Sequence, residues 1–124
     1  EGLAENSISF LRDDLRKHIG RSGKGVIIYF HYDFARGWWT DEEIDIFYNE
    51  IKDYNIIAIF HGHDHVTSLR VYTWRGINTY NIALCNTGKF GIVRVRSDRI
   101  FVGECTSSGN WGVTSEKSLV GGVV

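Results

Sequence analysis

The chain of 124 residues contains no methionine, no proline and only two cysteines. Because even position 1 lacks methionine, we expect the chain to begin inside a longer coding sequence or after processing. The two cysteines, Cys85 and Cys105, are far apart in sequence and form no Cys-x-x-Cys motif. A structural zinc site built from thiolates is therefore not expected.

Long apolar runs and an excess of charge are also missing. No stretch approaches the roughly eighteen apolar residues of a membrane-spanning helix, so no membrane span is expected. Fourteen Lys and Arg stand against fifteen Asp and Glu, which leaves a net charge of -1. No overall field would attract DNA, RNA or an anionic membrane, and nucleic acid is not an expected partner. Length and composition fit one globular domain over residues 1–124.

The first half of the chain alternates helices and strands. Residues 7–19 carry apolar side chains at helical spacing, and Thr40 to Glu43 form a capping box before a second helix that extends to about Lys52. Apolar runs at residues 25–31 and 56–61 predict two buried strands. Strands separated by a helix favour a right-handed crossover and a parallel pair.

The second half has the pattern of short, mainly antiparallel strands. Residues 68–74 and 77–85 flank a turn at Arg75 and Gly76, and residues 91–96 and 99–105 form another predicted hairpin. Residues 111–124 predict either one edge strand or a tail. Cys85 and Cys105 then end two neighbouring strands, where two buried thiols are favoured over a disulfide.

Histidines follow both buried strands of the first half. His31 ends one strand, and His61, His63 and His65 end the other. Imidazole is the commonest metal ligand among side chains, and open α/β sheets bind ligands at the carboxyl ends of their strands. Residues two apart on a strand face the same way, so His61, His63 and His65 could share one zinc ion. Alternatively, Gly62 permits a sharp bend that directs His63 and His65 to two neighbouring metals.

An aromatic loop follows His31. Trp38 and Trp39 are expected to pack under this loop or to cover a cleft at the histidines, because exposed tryptophans are costly. Arg36 is the one cation of the loop and a candidate to bind an anionic substrate.

Along the chain come, in order, a strand that ends in His31, a helix, a second strand that ends in Gly62-His63-Asp64-His65, and a run of antiparallel strands. This arrangement resembles the C-terminal half of a calcineurin-like metallophosphoesterase. The resemblance covers about residues 7–105. It implies an α/β fold with a mixed sheet, as part of a four-layer α/β/β/α sandwich of the metallo-dependent phosphatase type. It also implies two divalent or trivalent metal ions (Zn, Mn or Fe), with His31 and His63 on one ion and His65 on the other. The resemblance assigns no metal-ligand role to Asp64 or His61.

The N-terminal motifs of that family, Asp-x-His, Gly-Asp-x-x-Asp and Gly-Asn-His-Asp/Glu, are absent. In the family they supply the bridging carboxylate, most ligands and the histidine that protonates the leaving group. We therefore expect the C-terminal portion of a phosphoesterase domain, completed by an N-terminal half and nearly inactive alone. The expected reaction is hydrolysis of a phosphomonoester or phosphodiester by a metal-bound hydroxide. The alternatives are a noncatalytic binding module with structural histidines, or a mononuclear zinc site on His61, His63 and His65.

Overall fold

The computed structural model describes residues 5–32, 34 and 38–119. Its helices are α1 (Glu5–His18) and α2 (Asp41–Ile51), and a short 3-10 helix spans Cys85–Thr87. The strands are β1 (Val26–Tyr29), β2 (Ile56–His61), β3 (Arg70–Trp74), β4 (Ile77–Asn81), β5 (Phe90–Val95), β6 (Arg99–Cys105) and β7 (Trp111–Ser118).

The start of helix α2 follows the sequence pattern. Thr40 accepts a hydrogen bond from the Glu43 amide, and the Glu43 carboxylate accepts one from the Thr40 amide, which completes the predicted capping box. Arg12 of α1 forms an ion pair with Glu50 of α2. The two helices are therefore joined on their exposed sides as well as through the core.

The strands form two sheets. The mixed sheet has the order β1-β2-β4-β3, in which β1, β2 and β4 are parallel and β3 is antiparallel to β4. The antiparallel sheet has the order β5-β6-β7. The parallel pair of β1 and β2, both hairpins and the edge strand β7 agree with the sequence predictions.

Two apolar cores separate three layers. Leu15 and Phe47 of the helices pack with Ile59 of the mixed sheet, whereas Tyr80 of the mixed sheet packs with Val102 of the antiparallel sheet. The described residues thus stack as helices, mixed sheet and antiparallel sheet. The predicted α/β class with a mixed sheet is confirmed, and these layers correspond to the α/β/β part of the predicted sandwich.

The prediction for the cysteines was wrong in one respect. Strand β4 ends at Asn81, so Cys85 lies in the 3-10 helix and is exposed, whereas Cys105 ends β6 and is buried. The strands β4 and β6 belong to different sheets, and both thiols are free. Apolar alternation predicts a strand but does not specify which sheet it joins.

Neither helix in the described part of the chain has the length and apolar character needed to cross a bilayer.

Candidate metal-binding site

The candidate site lies where β1 and β2 end side by side. Pairing continues beyond both strands, because the Phe30 amide donates to the Phe60 carbonyl at 3.0 Å and the Gly62 amide donates to the His31 carbonyl at 3.1 Å. These bonds hold the segment after β1 against the segment after β2. As predicted from the parallel arrangement, His31 and His63 are neighbours although 32 residues separate them.

The two imidazoles meet through their ring nitrogens. His31 Nε2 lies 3.1 Å from His63 Nδ1, and the ring planes are nearly perpendicular at 77°. This distance fits a hydrogen bond in which one ring donates its N–H to the other. It also fits two ligands of one ion, because nitrogens that bind Zn²⁺ at about 2.0–2.1 Å with tetrahedral angles lie about 3.3 Å apart.

A tight turn presents His63. The Asp64 amide donates to the Gly62 carbonyl at 2.9 Å, which closes a three-residue turn around His63. His63 has a φ of 69° and His65 a φ of 52°. Positive φ is costly for residues with a Cβ atom, and such strain is concentrated at functional sites. The bend was expected from the freedom of Gly62, but the positive angles belong to the histidines instead.

Aromatic rings from the loop after β1 flank His63. Its ring centroid lies 4.6 Å from that of Tyr32 and 4.5 Å from that of Trp38. Trp39 is buried beneath, in contact with Phe30 and Phe47. The two loop tryptophans thus take different positions: Trp39 packs in the core, and Trp38 packs against the ring of His63.

His65 is separate from this pair. It is exposed, and its ring centroid is 6.2 Å from that of His63. Within residues 5–32, 34 and 38–119, no group of three His, Cys, Asp or Glu side chains is placed to hold one metal ion. The structure therefore joins His31 with His63 and leaves His65 nearby but apart.

His61 points into the interior. Its side chain is buried, its Nε2 lies 2.5 Å from the Tyr72 hydroxyl, and its ring stacks on Phe30 at a centroid distance of 6.1 Å. The three-histidine arrangement of His61, His63 and His65 is therefore not assembled. The ring instead connects β2 to β3 through Tyr72.

Asp64 is the residue whose role the sequence did not reveal. Its side chain is fully buried, and its Oδ2 accepts a hydrogen bond from Asn81 Nδ2 at 3.0 Å. Arg70 Nη2 lies 3.4 Å from the same oxygen. These contacts attach the histidine turn to β4 and β3. The sequence did carry one signal for this role, an acidic residue between two histidines directly after a buried strand. A carboxylate that is buried there needs hydrogen-bond partners.

An apolar cleft of about 290 Å³ runs beside the site. It extends from Phe10 and Leu11 of α1 along β1 and ends at His31 and Tyr32. Arg36, the predicted anion-binding residue, lies outside the described residues.

No protein-family model matches the chain, and no curated protein sequence matches it. Among solved structures, the chain is similar to two of Vps29 from Entamoeba histolytica. One is a single-substitution variant, with 16% identity, a TM-score of 0.45, and 72% of this chain and 52% of that chain covered. The other is the wild-type protein complexed with Zn²⁺, with 16% identity, a TM-score of 0.45, and 73% and 53% covered. The chain spans about half the length of these Vps29 chains, and the similarity concerns the overall fold.

Proposed function

We propose that this chain supplies part of the metal site of a phosphoesterase. In this proposal His31 and His63 bind one ion and His65 binds a second, the ions being Zn, Mn or Fe. The observation that carries it is the 3.1 Å separation of His31 Nε2 and His63 Nδ1 at the carboxyl ends of two parallel strands. That spacing suits two ligands of one ion without rearrangement of the strands.

Several residues of the chain position these ligands. The turn closed by the Asp64 amide fixes the direction of His63, and the buried Asp64 carboxylate holds that turn on Asn81. Tyr32 and Trp38 pack against the His63 ring and restrict its orientation. Metal ions in such a site polarise the phosphoryl oxygens and lower the pKa of a coordinated water.

The remaining ligands are proposed to come from an N-terminal half of the same domain. The described residues place no third His, Cys, Asp or Glu with the pair. Strand β1 is an edge of the mixed sheet, and Tyr29 on it is 83% exposed and Ile27 39% exposed. A segment that covers this apolar edge would lie next to His31, where further ligands and a proton donor for the leaving group are needed. The substrate is a phosphomonoester or phosphodiester, and Arg36 is proposed to bind its anionic group.

A noncatalytic binding module is the second candidate. The hydrogen-bond distance between His31 and His63, and the packing of His63 between Tyr32 and Trp38, favour it because both are satisfied without a metal. In that case the histidines stabilise the loop and bind no ion.

Hydrolysis and metal binding distinguish these functions. We would measure turnover of a phosphomonoester and a phosphodiester by the 124-residue chain with Mn²⁺ or Zn²⁺, and metal content of H31A, H63A and H18A. His18 is an exposed histidine of α1 and serves as the matched control. We expect metal binding that H31A and H63A lose and H18A keeps, with little turnover. Robust turnover would contradict the need for a second half, and equal metal content in all variants would favour the noncatalytic module.

A further inference from the structure

One side of the candidate metal-binding site is built from aromatic rings. The ring centroids of Tyr32, Trp38 and His63 form a triangle whose sides measure 5.5 Å, 4.5 Å and 4.6 Å. The ring of His31 lies 5.1 Å from that of Tyr32 and is nearly perpendicular to it at 78°. A phenol and an indole therefore lie directly beside the two histidines that are proposed to bind one metal ion.

Trp38 is the most accessible ring of this triangle. It is 39% exposed, whereas Tyr32 and His63 are half-buried. Its indole is perpendicular to the His63 ring at 85° and inclined to the Tyr32 ring at 36°. Among the described residues no third aromatic ring packs on it, although its neighbour Trp39 is buried in the core. Ligand sites are lined mainly by apolar and aromatic side chains beside a few polar groups, and this arrangement fits that description.

We propose that Trp38 stacks on a planar aromatic group in the esterified part of the phosphoester, such as a phenyl ring or a nucleobase. This inference rests on the proposed function, because the phosphate must bind at the metal ion held by His31 and His63. The planar group would then lie next to the phosphate, attached to it directly or through one sugar. Trp38 would thus determine the class of ester that the site selects.

The shape of the surface favours a flat ring over an alkyl chain. Trp38 is partly exposed rather than enclosed in a pocket, so a ligand contacts it from one side. A planar ring makes van der Waals contact with such a surface over its whole area. Aromatic pairs also attract each other beyond the area that they bury, whereas an alkyl chain would leave most of its surface in water. Stacking tolerates different rings, so the geometry selects a class of ester rather than one compound.

The test compares ligands that share a phosphate and differ in the planar group. Calorimetry with the Zn²⁺-loaded 124-residue chain gives the affinities of 5′-AMP and ribose 5-phosphate, and of phenyl phosphate and cyclohexyl phosphate. We expect 5′-AMP to bind at least about fivefold more tightly than ribose 5-phosphate, the smallest factor typical of one stacked base. Phenyl phosphate should likewise bind more tightly than cyclohexyl phosphate, which has a similar size but no flat ring.

Substitutions of Trp38 separate stacking from a structural role. W38L removes the flat ring and should lower the preference for 5′-AMP to less than about twofold, whereas W38F keeps an aromatic face and should retain most of it. The preference is a ratio of two affinities in one variant, so any change in metal affinity through the contact with His63 cancels. The control W111L changes a tryptophan of β7 that is 50% exposed and should leave the ratio unchanged.

Equal affinities for 5′-AMP and ribose 5-phosphate, or an unchanged ratio in W38L, would overturn the proposal. A metal-free arm uses adenosine, which should shift the NMR signals of the Trp38 indole although it carries no phosphate. That shift in a chain that binds no Zn²⁺ would support the stacking surface and contradict the metal site, so the two failures are distinguishable. No shift with either adenosine or 5′-AMP would overturn the proposal whether or not Zn²⁺ binds. Circular dichroism checks that each variant is folded.

Discussion

At the scale of single residues, the position of His63 depends on Asp64. The Asp64 side chain has no exposed surface and is held by Asn81 and Arg70. A buried carboxylate whose oxygen is hydrogen bonded to neighbouring strands fixes the backbone on both sides of it. The direction of the His63 ring is therefore set by a residue that need not touch a metal ion.

Replacing Asp64 by Ala should lower the free energy of unfolding by about 1–3 kcal/mol, because hydrogen bonds to a charged group are lost and Asn81 is left with a buried donor. Urea denaturation measures the change. The control D53A removes an exposed carboxylate and should change stability by less than about 0.5 kcal/mol. If D64A is as stable as D53A, the turn is not held by this carboxylate.

Backbone strain at His63 gives a second prediction. Because its φ is 69°, glycine should be tolerated better than alanine there, and H63G should be more stable than H63A by about 1 kcal/mol. At His18, the last residue of helix α1, we expect the opposite result: H18A should be more stable than H18G, because alanine is preferred in a helix. Thermal or urea unfolding of the four variants checks this, and equal stability of H63G and H63A would contradict the strained turn.

The sequence was sufficient to predict that His31 and His63 meet, because parallel strands deliver their carboxyl ends to one edge. It was not sufficient to predict the turn. Glycine at position 62 suggested where the chain bends, but the hydrogen bond from Asp64 to Gly62 places the positive φ on His63. The partners of Asp64 come from β3 and β4, and such long-range contacts leave no local pattern.

At the scale of elements, pairing of β6 with β7 depends on close backbone approach at Gly103. A Cβ atom there would lie 2.5 Å from the Gly112 carbonyl oxygen. The register between these strands shifts between Val102 and Gly103, so the glycine lies at an irregularity of the ladder. Strand existence and hairpin pairing were predictable from alternation, whereas this irregularity and the sheet to which β4 belongs were not.

The variant G103A should therefore be destabilised by about 1–3 kcal/mol, as expected for overpacking. The matched variant G112A lies on the facing strand, where an added Cβ meets nothing within 4 Å, and should cost less than about 1 kcal/mol. Urea denaturation of both variants provides the comparison. Equal losses would show that the close approach at Gly103 does not limit the pairing.

At the scale of the whole molecule, the two sheets are held together by an apolar core that contains Tyr80. Burial raises the pKa of Tyr80 above its ordinary value of 10.0, and the nearby Ser115 hydroxyl acts in the opposite direction. Neither hydroxyl oxygen has a hydrogen-bond partner of good geometry among the described residues. The folded state therefore favours the neutral phenol.

The sign of the pH effect follows from this shift. Below about pH 10 Tyr80 is neutral in both states, and its contribution to stability is fully present. Above that pH the unfolded chain loses the Tyr80 proton first, so stability falls as pH rises toward the pKa of the folded state. We expect Y80F to lose less stability than the wild type between about pH 8 and about pH 11, measured by urea unfolding. Identical losses would contradict the proposed burial effect.

The central claim is that His31 and His63 bind one metal ion together. Its most direct test is a Zn²⁺ titration of the 124-residue chain, followed by NMR of the histidine ring protons and by calorimetry. We predict that the rings of His31 and His63 respond together to the same ion. H31A and H63A should each weaken binding by more than about tenfold, since loss of a group that merely orients a ligand already costs about that much, and H18A should not. Independent responses of the two rings, or unchanged affinity in H31A and H63A, would contradict the claim.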